Sequence, residues 1–130
     1  MHFLLFLIMA TYTAIKLTPM LESHDMPATL KFYTEILKFN CTAKLDDLSW
    51  LSLQKDEIEV MFCTPNKHRN IHKSIMSGSL YIKTNEVTVL WESLKDHCEI
   101  CYPPEDFDYG MREFAIYDNN GYLLQFGQNL

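Results

Sequence analysis

The stretch DMPATLKFYTEILKF, residues 25–39, reads as one helix whose start is signalled. Asp25 can accept from the free N–H groups of a first turn, and Pro27 suits that turn because its missing amide has no helical partner there. Ala28, Leu30, Phe32, Tyr33, Ile36 and Leu37 recur at helical spacing, which makes one face apolar. Upstream, residues 14–21 read as a strand that Pro19 confines to an edge or a bulge. Downstream the period changes to two, with strands over 39–45, 48–53 and 57–63 separated by turns at Asp46-Asp47 and Lys55-Asp56. The first half is therefore a βαβββ unit.

The same order then begins again. Residues 65–77 are polar, without apolar period, and read as a linker. Residues 78–83 read as a strand, and 85–97 as a helix with Val87, Leu90, Trp91 and Leu94 on one face. A short strand at 99–102, a Pro-rich acidic loop at 103–108, and two strands joined by Asp118-Asn119-Asn120-Gly121 complete the second half. Aligning Ser23-His24-Asp25-Met26 with Thr84-Asn85-Glu86-Val87 places Leu30 over Trp91 and Tyr33 over Leu94. Identity across the halves is poor, yet the elements repeat, and a repeat outranks single motifs. The fold class that follows is α+β, as two tandem βαβββ modules (14–64 and 78–130) in a single domain.

Composition agrees and sets limits. A chain of 130 residues with 48% hydrophobic and 22% charged residues can pack one core. A net charge of −6 disfavours any surface that gains affinity by neutralising phosphates, so nucleic acid and anionic membrane are poor partners. Cys41, Cys63, Cys98 and Cys101 are too sparse and irregular for a disulfide scaffold, which points to reduced thiols and a cytoplasmic protein. Residues 1–13 read as an apolar extension. Its run 3–9 is far short of the roughly 20 residues a membrane span needs, and it lacks the basic start of a signal. An over-long start, a packing arm and a signal are the three readings of that run.

Two segments carry a family resemblance. Residues 25–39 resemble the first-helix signature of the vicinal oxygen chelate superfamily, which groups glyoxalase I, bleomycin resistance proteins and extradiol dioxygenases. Residues 109–127 (YGMREFAIYDNNGYLLQFG) resemble its closing hairpin, a Gly, an Arg, an aromatic, then Asp-x-x-Gly and a last strand. The resemblance implies sheets curled around a central cavity that a second subunit completes or covers. In metal-dependent members it also implies His, Gln or Glu ligands on the first and last strand of each module. Carried over, those positions are Thr18, Met61, Ser79 and Gln125. Only Gln125 is a plausible ligand, since a neutral hydroxyl is weak and a thioether suits soft copper.

Other metal readings are thinner. Cys98-Glu99-Ile100-Cys101 has zinc spacing and His68 with His72 forms an i, i+4 pair, but a lone CxxC is weak, and thiols beside a polar linker are the plainer reading. His24 reads as a surface residue.

Hairpin register gives the expected lining. A turn at Lys55-Asp56 sets Trp50 opposite Met61 and Ser52 opposite Glu59; a four-residue loop at 118–121 sets Phe114 opposite Gln125, with Arg112 on the same face. Met20 and Tyr81 join by parity, while Ala115, Leu124 and Phe126 pack under the helices. The expected ligand site is thus Met20, Trp50, Glu59, Met61, Tyr81, Arg112, Phe114 and Gln125, an aromatic pocket with a few fixed charges. The reading is a small-molecule-binding protein that works by sequestration, as bleomycin resistance proteins do, without metal, cofactor or catalytic residues and as a homodimer, with an aromatic or cationic ligand. The alternative is a metal-dependent lyase, isomerase or dioxygenase of the same superfamily.

Overall fold

The computed structural model describes residues 12–68 and 73–130. The first module comprises β1 (Met20–Glu22), α1 (Met26–Lys31, continuing as a π-helical turn over Phe32–Ile36), β2 (Asn40–Lys44), β3 (Trp50–Lys55) and β4 (Ile58–Cys63). The second comprises β5 (Leu80–Lys83), α2 (Val87–Leu94), β6 (Glu99–Phe107), β7 (Met111–Tyr117) and β8 (Leu123–Asn129). The sheets have orders β1-β4-β3-β2 and β5-β8-β7-β6, which is one connectivity used twice. In each, the first strand runs parallel to the last and every other pair is antiparallel. Among the described residues the sheets remain open and close into no barrel.

Local chemistry sets the element ends. The Asp25 carboxylate accepts from the Ala28 amide at 3.0 Å, as an N-cap does. Past Lys31 the ladder widens to an i→i+5 bond, Leu37 N–H to the Phe32 carbonyl at 3.2 Å, and the Thr34 hydroxyl donates back to the Leu30 carbonyl at 2.7 Å. The helix stops at Lys38, whose φ is +64°. The first strand is shorter than expected: residues 14–19 are not strand, and Pro19 contributes only its carbonyl, which accepts from the Met61 amide. Conversely β6 runs through the expected Pro-rich loop. It is an edge strand, where Pro103 and Pro104 leave no inner ladder bond unmade, and its register shifts between Tyr102 and Glu105. The described part of the 65–77 linker has neither helix nor strand, and the apolar run 3–9 lies outside the described residues. Among the described residues no helix is long and apolar enough to cross a membrane.

One core joins both modules. Leu51, Leu53, Val60 and Phe62 of the first sheet and Phe114, Ile116, Leu124 and Phe126 of the second pack with Met26, Tyr33, Leu37, Val87 and Leu94. Ring contacts show which sheet face each helix covers: Tyr33 meets Phe62 at 5.1 Å between centroids, and Trp91 meets Phe114 at 5.4 Å. Among the described residues no helix covers the other face of either sheet. Polar ties lock the modules together, the Tyr33 hydroxyl donating to Asp118 at 2.7 Å and the Tyr122 hydroxyl to the Glu22 carbonyl at 2.6 Å. Burial raises the Asp118 carboxyl above its ordinary value, and donation from Tyr33, Tyr122 and Asn120 partly restrains the rise.

Candidate functional site on the open sheet faces

Strand parity decides which side chains reach the open faces. In the first sheet Trp50 pairs with Cys63, Ser52 with Met61, Gln54 with Glu59 and Met20 with Met61. The register thus differs by two from the expected one, because the turn is Asp56-Glu57, with Asp56 at φ +52°, and Lys55 pairs with Ile58. A slip of two preserves the face. Met20, Trp50, Glu59 and Met61 share the open face as expected.

In the second sheet the outcome is different. Phe114 pairs with Phe126, Ala115 with Gln125 and Tyr117 with Leu123, one residue away from the expected register. The loop has three residues between Asp118 and Tyr122, which are paired by the Asp118 amide on the Tyr122 carbonyl at 2.9 Å, and Gly121 sits at φ +86°. A slip of one turns every side chain over. Phe114 is therefore fully buried under α2, stacked on Phe126 at 5.2 Å. Arg112 lies on Phe114's side of β7, where it grips Asp106 through two bonds of 2.6 and 3.1 Å. Leu124 and Phe126 do pack under the helix, whereas Ala115 lies on the open side with Gln125. Arg112 and Phe114 are corrected out of the shared face, and Glu113 takes their place.

Glu113 is a carboxylate only 3% exposed. It accepts from the Tyr81 hydroxyl at 2.5 Å and from the Tyr109 hydroxyl at 2.7 Å, one on each oxygen. Tyr81 reaches it because Gly127 pairs with Glu113 and has no side chain: a Cβ there would meet the Tyr81 hydroxyl oxygen at 2.0 Å. Beside them the Ser79 hydroxyl donates to Gln125 Oε1 at 2.5 Å, and Gln125 Nε2 donates to the Tyr102 hydroxyl at 3.1 Å. Tyr102, Phe107 and Tyr109 form an aromatic row, the last two stacked at 5.3 Å. Glu113, Tyr102 and Tyr109 were absent from the expected site.

On the first sheet, Glu59 accepts from Lys16 and from the Ser52 hydroxyl, and these bonds hold its carboxyl below its ordinary value. A cleft of about 290 Å³ between β4 and β5 brings Glu59 to Ser79 and Tyr81, so the two open faces adjoin. A larger cavity of about 500 Å³ lies on the helix side between Phe39, Leu90 and Phe126. Its charged residues Lys55, Asp56, Glu57, Lys83 and Glu86 are all exposed rim groups, so the convergent polar chemistry is on the open faces instead.

Burial and then the bond to Glu113 push Tyr81 up to about 12; the same carboxylate first, then desolvation, pushes Tyr109 to about 12. Both phenols remain donors at neutral pH. Their folded values exceed the ordinary tyrosine value near 10, so the stability they add is complete below about pH 10 and is lost as pH rises through about 12. Tyrosinate absorbance should show both titrating late, and Glu113→Gln should return them toward 10. Titration unchanged by Glu113→Gln would remove the carboxylate as the cause.

The donors at the four family metal positions do not fit a divalent cation. They are two hydroxyls, a thioether and an amide, with Ser79 and Gln125 bonded to each other. Among the described residues no three His, Cys, Asp or Glu side chains converge, and His72 of the pair with His68 lies outside those residues. His24 is exposed.

Doubled βαβββ modules with opposed helix and open faces define a class. A sequence profile of the glyoxalase/bleomycin resistance protein/dioxygenase superfamily matches residues 19–126, and the chain belongs to that superfamily. Among solved structures it is similar to a glyoxalase/bleomycin resistance protein/dioxygenase from Nocardioides, at 17% identity and a TM-score of 0.78, over 99% of this chain and 93% of that one. It is also similar to a bleomycin resistance determinant encoded on the transposon Tn5, at 22% identity and a TM-score of 0.69, over 89% and 98%. A lactoylglutathione lyase from Agrobacterium tumefaciens aligns at 13% identity and a TM-score of 0.67, over 91% and 96%. No curated protein sequence matches the chain.

Proposed function

We propose that this chain is a binding protein that holds a flat, partly polar organic molecule, aromatic or cationic, on its open faces without a metal and without chemistry. The observation that carries the reading is the buried Glu113 with its tyrosines, a fixed negative charge behind an aromatic surface where the family's metal ligands are replaced by neutral groups. Met20, Trp50, Glu59 and Met61 on the first open face and Tyr81 and Gln125 on the adjoining one are the side chains such a ligand would meet. Such a surface favours stacking plus charge-assisted hydrogen bonds. Antibiotic sequestration is one use of such a site, a metabolite carrier another. A homodimer belongs to the same reading, since a second copy would cover faces that one chain leaves open. A cytoplasmic setting fits four cysteines that form no disulfide.

The test uses proflavine as a planar cationic probe. Trp50→Ala should weaken its binding by about tenfold or more while costing about 1–2 kcal/mol of stability, because Trp50 is only half-buried. Equal binding in both proteins would overturn the reading. The metal-dependent alternative is tested by elemental analysis after exposure to zinc, nickel, manganese and ferrous iron and then dialysis: one ion retained per chain would establish it.

A further inference from the structure

We infer that the hydrogen-bond polarity of the second open face is fixed as two acceptors and one donor, and that it selects a planar primary carboxamide edge. This rests on the binding reading above and adds the ligand's chemical class. A phenol carries one proton. Tyr81 spends its proton on Glu113 Oε2 and Tyr109 on Oε1, and a buried carboxylate gives nothing back. Both phenol oxygens therefore face a ligand as acceptors, strengthened by the charge behind them.

Tyr102 has the opposite sense. Ser79 occupies Gln125 Oε1, which turns Gln125 Nε2 onto the Tyr102 oxygen. The Tyr102 proton has no acceptor among the described residues, so it donates outward. Tyr81 and Tyr109 share the Glu113 carboxylate, and Tyr102 pairs with Ala115, two residues along on the same face of β7, with the Phe107 ring bridging Tyr102 to Tyr109, so the three hydroxyls belong to one patch. A carboxamide offers N–H donors to the first pair and a carbonyl to Tyr102. A carboxylate would set its lone pairs against the oxygens of Tyr81 and Tyr109. An amidinium would satisfy those two and leave Tyr102 unanswered.

The probes are benzamide, benzamidinium and benzoate, titrated against the full chain by NMR with labelled tyrosine rings. Benzamide should bind about tenfold more tightly than benzoate. Tyr102→Phe should weaken benzamide severalfold and leave benzamidinium unchanged. Gln125→Glu, which is acceptor-only, should turn the Tyr102 proton inward and weaken benzamide in the same way while strengthening benzamidinium. Benzoate binding as well as benzamide on the intact protein overturns the inference and leaves the binding reading standing. No ring shift with any of the three, together with no proflavine binding, overturns both.

Discussion

Phe114→Ala should cost about 3–5 kcal/mol of folding stability, the range for deleting a buried aromatic ring. The ring is wholly buried, stacked on Phe126 and met edge-on by Trp91, so truncation opens a hole between α2 and its sheet. The neighbours cannot close it cheaply, because the hole sits at the centre of a four-stranded sheet whose pairing with β8 fixes the backbone. Urea denaturation measures the loss, and proflavine binding by the fraction still folded should be unchanged. A loss under about 1 kcal/mol with weakened binding would return Phe114 to the ligand face.

That residue also marks where the sequence was legible and where it was not. The repeat was readable because each helix had its own apolar spacing, and Met26 and Val87, aligned by the repeat, are both buried at helix starts. The first sheet's open face was readable despite a wrong turn, since the error was two residues and side chains alternate with period two. The second face was lost by one residue in one loop. Gly121 held the signal: Asn-Asn-Gly after Asp118 fits a three-residue loop with a left-handed glycine last, which makes Asp118 and Tyr122 partners. With that register, Glu113 falls opposite Gly127 and on the face of Gln125. Tyr102 and Tyr109 were harder to foresee, because Tyr102 lies on an edge strand of irregular register and Tyr109 in the β6–β7 turn. No spacing rule brings Tyr109 to Glu113 or Tyr102 to Gln125.

Asp118→Ala should be the most damaging change to how the modules hold together, at about 3–5 kcal/mol, since several buried donors lose one acceptor at once. The carboxylate accepts from the Tyr33 hydroxyl at 2.7 Å, from the Asn120 amide at 2.8 Å and from the Tyr122 amide at 2.9 Å. Tyr33 is 1% exposed, so its hydroxyl cannot turn to water, and burial with the nearby Asp118 charge already raises it well above an ordinary phenol. Tyr33→Phe removes that donor together with its need, and should cost only about 1 kcal/mol. The double variant should therefore be less destabilised than the two single losses added, because in the Tyr33→Phe background Asp118→Ala strands no buried phenol. Thermal unfolding of the four proteins closes the cycle. Strict additivity would mean that Tyr33 and Asp118 contribute independently, and that their bond adds nothing to how the modules hold together.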